Sequence, residues 1–230
     1  MMDSVPERIT ARQFHYAVGV DDWRVADGGA CVHFRTGSFG AGARLVHAIS
    51  EIPGIDDHAP DVDVRLDAVT VRLFTTAPAP DGLSARDVEV ARLISSKAQQ
   101  LGFTADPSAV RNVVIVVDAL DIPAVLPFWR AVLGYGDRTD GPVDELSDPH
   151  RRKPVVCFQR MDAPRPQRNR IHLDVWVPHD QAEARVAAAI AAGGHLVTDQ
   201  WAPSWWVLAD PEGNEACVAT WIGTDGHGYP

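Results

Sequence analysis

The sequence predicts an α+β protein built in two parts. Three observations predict it. Residues 6–102 alternate helix-like and strand-like stretches in the order α-β-β-α-β-β-α. The apolar phase reverses within the strand-like run 62–73. Residues 110–222 repeat one unit, a strand, a helix and then further strands, twice. The short segment Thr104-Ala105-Asp106-Pro107-Ser108 is expected as a linker, which divides the chain into domains at 1–105 and 110–224.

The first helix is expected within 6–18. Short strands follow at 23–26 and 30–36 around the turn Asp27-Gly28-Gly29. Ser38 can cap a helix over 38–52, where Leu45, Ala48, Ile49 and Ile52 recur at helical spacing and Pro53-Gly54 ends the run. Val62, Val64 and Leu66 are apolar at even positions, Val69, Val71 and Leu73 at odd ones. Strand side chains alternate faces, so a hairpin tip at Asp67-Ala68 is needed to give both strands one apolar face. The last helix of this part runs from Ser84 to Gly102, with Val90, Leu93, Ile94, Lys97 and Leu101 along one side.

The second part opens with the apolar strand 113–117. A helix over 121–134 follows, capped by Asp121, with Val125, Phe128, Trp129, Val132 and Leu133 on its buried side. A polar loop leads to strands at 154–160 and 171–177. A helix at 180–192 stops at Gly193-Gly194, and strands at 195–200, 205–209 and 215–221 complete the pattern.

Bulk properties narrow the function. The net charge of −10 argues against nucleic-acid and anionic-membrane partners. No apolar run approaches the ~20 residues of a membrane span, and the first residues do not form a secretory signal. Cys31, Cys157 and Cys217 are too far apart for a CxxC motif. They are expected as buried, reduced residues of a cytoplasmic protein.

The stretch Asp56-Asp57-His58-Ala59-Pro60-Asp61 sets a lone histidine in an acidic, proline-stiffened connection. Read alone, His58 is either a pocket group or a polar loop residue. Asp56, Asp57 and Asp61 would favour its imidazolium form.

Asp22-Trp23-Arg24, Phe34, Ser38-Phe39, this DHAPD stretch, Thr75-Thr76 and Gly82-Leu83-Ser84-Ala85-Arg86-Asp87 together resemble the pterin-4a-carbinolamine dehydratases over residues 8–102. The resemblance implies a four-stranded antiparallel sheet with helices on one face. It also implies a lyase that removes water from a 4a-hydroxytetrahydropterin, with no cofactor required. That reaction needs a base at a ring nitrogen and an acid at the departing hydroxyl, roles suited to imidazoles near neutral pH. The family's histidine pair falls at His58 and Ala59, its third histidine at Thr76 and its helix aspartate at Asp87. This makes His58, Asp87 and Thr76 the catalytic candidates, and Trp23, Pro60 and Asp61 the substrate-binding ones. Asp87 also fits the third position of a capping box begun by Ser84. Trp23 fits a core as well as it fits a stacking surface, and Asp61 fits a turn as well as a ligand contact.

In the second part, Asp121, Phe128-Trp129, Leu133-Gly134-Tyr135, the run from Asn169 to Asp174, and Asp210-Pro211-Glu212-Gly213-Asn214-Glu215 resemble the glyoxalase-like branch of the vicinal oxygen chelate superfamily. The implied fold is a pair of βαβββ modules around a cavity. The implied metal positions fall at Val114, Gln159, His172 and Glu215. Valine cannot ligate, so Gln159, His172 and Glu215 are the candidates for a divalent metal (Zn, Mn, Ni or Fe). Trp201, Trp205 and Trp206 either line an apolar cavity or fill the core.

The two resemblances imply a weakened 4a-hydroxytetrahydropterin dehydratase with a fused glyoxalase-like ligand-binding domain. Two alternatives stand beside it: a metal-dependent glyoxalase- or dioxygenase-like enzyme acting in the second part, and a non-catalytic small-molecule binding protein. The implied partner is a pterin or another planar metabolite. Oligomerisation in the resembled families implies a homo-oligomer, in the simplest case a homodimer.

Overall fold

The structure, a computed structural model, describes residues 7–26, 29–75, 82–110, 112–137, 144–164, 171–220 and 222. The chain forms two compact units, divided between Asn112 and Val113 apart from a short segment outside the described residues.

The first unit begins with β1 (Arg8–Ile9) and the single-turn helix α1 (Ala11–His15), held by a capping box between Thr10 and Gln13. Strands β2 (Arg24–Ala26) and β3 (Gly29–Arg35) precede α2 (Phe39–Ser50), where the Ser38 side chain accepts from the Ala41 N–H. Strands β4 (Asp61–Val64) and β5 (Ala68–Leu73) form the hairpin. The two-residue β6 (Leu83–Ser84) then leads into α3 (Ala85–Gln100). The sheet is antiparallel in the order β2-β3-β5-β4. Phe34, Val32, Val69, Val71 and Leu73 pack one face against Leu45 and Ile49 of α2 and Val90 and Ile94 of α3. The opposite face is polar and carries His33 bonded to Thr70 at 2.9 Å, an arrangement suited to a sheet with one solvated side.

Several details differ from expectation. The hairpin tip is Leu66-Asp67, because Val64 pairs with Val69 and the Arg65 N–H donates to the Ala68 carbonyl. The Asp67 carbonyl accepts from Thr36 and Gly37, which fixes the tip there and leaves Leu66 80% exposed. The buried residues of α3 are Asp87, Val88, Val90, Ala91, Ile94 and Ala98, while Leu93 and Leu101 face outward. The expected linker is ordered structure. Thr104–Ala105 is strand β7, paired with Phe34 and Arg35 of β3, and Asp106 holds Arg35 at 2.5 Å. The Ser108 hydroxyl and the Arg35 guanidinium hold the Asp106 carboxyl at about 2.

The second unit contains the repeat. Its first module is β8 (Val114–Ala119), α4 (Ile122–Leu133), β9 (Gly136–Asp137), β10 (Glu145–Ser147) and β11 (Val155–Arg160). Its second module is β12 (Leu173–Trp176), α5 (Ala182–Ala191), β13 (His195–Thr198), β14 (Trp205–Ala209) and β15 (Glu215–Ala219). Each sheet places its first strand parallel to its last, in the orders β8-β11-β10-β9 and β12-β15-β14-β13. These are two βαβββ modules. Asp121 caps α4, and Gly134 ends it in the left-handed conformation at φ 70, which glycine adopts without a Cβ clash. Both helices and one face of each sheet share a core around Phe128, Trp129, Val156, Leu208 and Val218.

The strand expected as apolar throughout is one-sided. Val117 and Ala119 are buried, whereas Val114 and Val116 are 41% and 53% exposed on the face away from the core. In α5 the buried positions are Ala182 and Ala189, and Ile190 is exposed. Trp206 packs against the core, and Trp205 stacks on Trp201 with ring centroids 5.2 Å apart. None of the three cysteines forms a disulfide, and only Cys217 is buried. Among the described residues, no helix is long and apolar enough to cross a membrane.

Candidate functional site

Three local structures converge on the start of α3. Ser84 is its N-cap, held in extended geometry by pairing with Arg8 of β1. Thr75 is brought alongside by a bridge to Gly82: the Thr75 N–H donates to the Gly82 carbonyl at 2.7 Å, and the return bond is 3.1 Å. Gly82 has φ 150, a backbone conformation that residues with a Cβ rarely adopt, so this connection favours glycine. The third contributor is a single 3-10 turn, Asp56–His58, following α2. Buried Ile52 and Ile55 anchor it, and the His58 N–H donates to the Ile55 carbonyl at 3.0 Å.

These elements meet at Asp87, which is wholly buried. Its Oδ1 faces His58 Nε2 at 2.8 Å. Its Oδ2 accepts from the Ser84 N–H at 2.7 Å and the Thr75 hydroxyl at 2.8 Å, with Ser84 Oγ at 3.0 Å. Thr75 Oγ1 and Ser84 Oγ are 2.7 Å apart. Each hydroxyl has one proton. Thr75 spends its proton on Asp87, so Ser84 shares its own between the Thr75 oxygen and the carboxylate.

Burial opposes ionisation of Asp87 and is the largest single influence on it. Hydrogen bonds from His58, Thr75 and the Ser84 backbone, with the charge of His58, together outweigh it and hold the carboxyl below its usual range. An ionised carboxylate accepts only, so the His58 proton facing it is on Nε2. Nδ1 makes no hydrogen bond to a described residue, and the side chain keeps 12% of its surface open. A ligand reaching His58 can therefore exchange a proton at Nδ1 while Asp87 balances the charge.

The expected site residues are distributed as follows. His58 and Asp87 are in direct contact. Thr76 lies outside the described residues, and its neighbour Thr75 bonds Asp87 instead. The carboxylate touching the His58 ring is Asp87 rather than Asp56, Asp57 or Asp61. Trp23 is a core residue, 2% exposed, and its indole N–H donates to Ser95 Oγ at 3.0 Å, so it has no free face for a ligand. Pro60 is half-buried, and Asp61 is exposed at the start of β4, opposite Arg72. Ala59 is exposed, in extended geometry. Sequence reasoning missed Thr75 as a partner of Asp87 but paired Ser84 with it. The signal for Ser84 was the capping box itself, both of whose bonds are present.

In the second unit, Gln159 is exposed and pairs with Asp118, in the same sheet as Val114. Glu215 begins β15 of the other sheet, and His172 immediately precedes β12 of that sheet. Val114 presents an isopropyl group where the resemblance implies a donor, so the full set of four ligands is not available there. A different group does converge. Donor atoms of His172, Asp174 and Cys217 all lie within 4.8 Å of one another, with His172 Nε2 and Asp174 Oδ1 at 3.2 Å. Burial pushes the Cys217 thiol up to about 12, and Asp174, by charge and hydrogen bond, and Glu215, by charge, push the same way.

Both units have relatives among known families. Residues 7–97 match the family pterin 4 alpha carbinolamine dehydratase, and residues 114–219 match the family glyoxalase-like domain. Proteins from two strains of Mycobacterium leprae, Br4923 and TN, are provisionally named pterin-4-alpha-carbinolamine dehydratase. Each is 34% identical over 73 residues, spanning 32% of this chain and 76% of the relative. Solved structures similar over about half of the chain include a glyoxalase/bleomycin resistance protein/dioxygenase family enzyme from Burkholderia phytofirmans. It is 20% identical with a TM-score of 0.38, covering 46% of this chain and 95% of that one. Another is the fosfomycin resistance protein FosX from Mesorhizobium loti, 9% identical with a TM-score of 0.41, covering 50% and 95%. The class is thus an α+β protein that joins a dehydratase-like unit to a glyoxalase-like one. The chain belongs to the pterin-4a-carbinolamine dehydratase family.

Proposed function

We propose that the protein is a hydro-lyase of the 4a-hydroxytetrahydropterin dehydratase type, acting at His58. The observation that carries this reading is the 2.8 Å contact between His58 Nε2 and the buried Asp87 carboxylate. A mostly buried imidazole with a small open surface, locked by a buried carboxylate, is an arrangement for proton transfer.

Dehydration of a 4a-carbinolamine removes hydroxide from C4a and a proton from the adjacent ring nitrogen, forming a C=N bond and water. Protons balance within the reaction: the departing oxygen takes one and the nitrogen gives one. A single imidazole can therefore serve both steps in turn. Protonated at Nδ1, His58 gives that proton to the leaving hydroxyl. It then recovers one from the nitrogen and returns to its starting state. Asp87 keeps the ring oriented and balances the imidazolium charge, while Thr75 and Ser84 fix Asp87. With Ala59 in place of a second imidazole, the single group must do both jobs, so the activity is weak for its kind.

Pro60 and Asp61, two and three residues after His58, are the proposed substrate contacts, and Thr76 is proposed as a further polar group at the same site. The substrate class is a pterin or another planar metabolite, and this unit needs no cofactor. The functional boundaries are proposed at 1–105 and 110–224, with the second domain binding a small molecule. A homo-oligomer in the cytoplasm is the proposed setting. The test is dehydration of 4a-hydroxytetrahydropterin followed against its spontaneous rate. Acceleration that saturates with substrate supports the reading. A rate equal to the spontaneous one at high substrate overturns it, and tight pterin binding without turnover would make the protein a binding module.

A further inference from the structure

The metal positions implied for the glyoxalase-like half fail at Val114, yet a second donor set is built into one module alone. Strands β12 and β15 run parallel with Asp174 opposite Cys217. Side chains alternate along a strand, so Asp174, Glu215 and Cys217 belong to one face of this sheet, and His172, just before β12, brings its imidazole to Asp174 at 3.2 Å. Leu173, Val175, Ala216 and Val218 belong to the other face and pack in the core. The polar face thus gathers an imidazole nitrogen, a carboxylate oxygen and a sulfur within 4.8 Å of one another.

Their chemistry and spacing favour one kind of ion. Zinc bonds of about 2.0–2.3 Å in tetrahedral geometry set donors about 3.3–3.8 Å apart. His172 Nε2 and Asp174 Oδ1 are already at 3.2 Å. The remaining adjustment is about 1 Å of side-chain movement, within what a strand side chain achieves by rotation. A sulfur donor disfavours magnesium and calcium and favours borderline-soft ions. Glu215, two residues before Cys217 on the same strand and face, adds negative charge about 7 Å along the strand.

We propose that His172, Asp174 and Cys217 form a binding site for a borderline-soft divalent cation such as zinc. Asp174 and Cys217 come from two adjacent strands and His172 from the residue just before β12, and the fourth position stays open to water or a small ligand. The site lies within the second module and needs neither Val114 nor Gln159. Its occupancy is independent of proton transfer at His58, so the two proposals fail separately.

Cobalt(II) titration of the chelator-treated full-length protein tests this directly. The expected result is one equivalent bound, with the intense visible bands of a tetrahedral ion and a thiolate-to-cobalt charge-transfer band, both displaced by zinc. Cys217→Ser should abolish the charge-transfer band and weaken binding at least about tenfold. His172→Ala and Asp174→Asn change exposed residues and should weaken it similarly, which preserves the test if Cys217→Ser fails to fold. Cys31→Ser, Cys157→Ser and Gln159→Ala should change nothing. Absence of the charge-transfer band in the wild type overturns the proposal. So does a band that survives Cys217→Ser, or binding that depends on Gln159 and not on His172 and Asp174.

Discussion

Asp87 in the first unit and Asp210 in the second are both fully buried, and each carboxylate is surrounded by four donor groups. Asp210 accepts from the Trp129 indole at 3.0 Å, the Glu212 and Asn214 backbone at 2.9 Å each, and the Asn214 side chain at 2.7 Å. Every one of those donors keeps its proton at ordinary pH. They tie the turn after β14 to helix α4. Around Asp87 one of the donors is an imidazole, which can gain and lose a proton near neutral pH. Burial and hydrogen-bond saturation alone therefore do not mark a functional carboxylate. The identity of the donors does.

The comparison can be broken at either aspartate. His58→Ala should cut dehydration about 10²–10⁴-fold, roughly 3–5 kcal/mol of barrier, measured as steady-state rate above the spontaneous reaction. Asp210→Ala should destabilise the second unit by about 3–5 kcal/mol in denaturant titrations, because it orphans several buried donors, and leave dehydration unchanged. Loss of dehydration in folded Asp210→Ala would erase the distinction between the two carboxylates.

Smaller changes sharpen it. Thr75→Val removes one hydroxyl from Asp87 and should cost about 1–3 kcal/mol of stability, with a rate loss of about tenfold through a less firmly held His58. The acid limb of unfolding tests Asp87 itself. Its folded-state carboxyl lies below the ordinary value, so the unfolded chain binds more protons as pH falls. The stability it contributes is full above about pH 4 and is lost as pH falls through the lower folded value. Wild-type stability should therefore decline more steeply below about pH 4 than that of Asp87→Asn, and equal slopes would contradict the shift. The smallest effect is a gain: Ala59→His, at an exposed position beside His58, should raise dehydration a few-fold by restoring a second imidazole.

The features legible in the sequence are those set by neighbours along the chain. The element order, the caps at Ser38 and Asp121, and the Ser84–Asp87 capping box all depend on residues within one turn, and all are present. What depended on distant partners was harder to read. The hairpin tip is set by Thr36 and Gly37 reaching the Asp67 carbonyl, which strand phase does not reveal. The segment expected as a linker becomes a strand because β3 offers it a free edge. In the site, resemblance placed His58 and Asp87 together, but the bonding of Thr75 follows from its bridge to Gly82. The grouping of Asp174 with Cys217 follows from a parallel register between strands far apart in sequence.

The most direct test of the account compares wild-type protein with His58→Ala in the dehydration of 4a-hydroxytetrahydropterin, with circular dichroism confirming that both are folded. The account predicts saturable acceleration by the wild type and its loss, to within a few-fold of the spontaneous rate, in the variant. Equal acceleration by both proteins would show that the His58–Asp87 pair does not carry the chemistry.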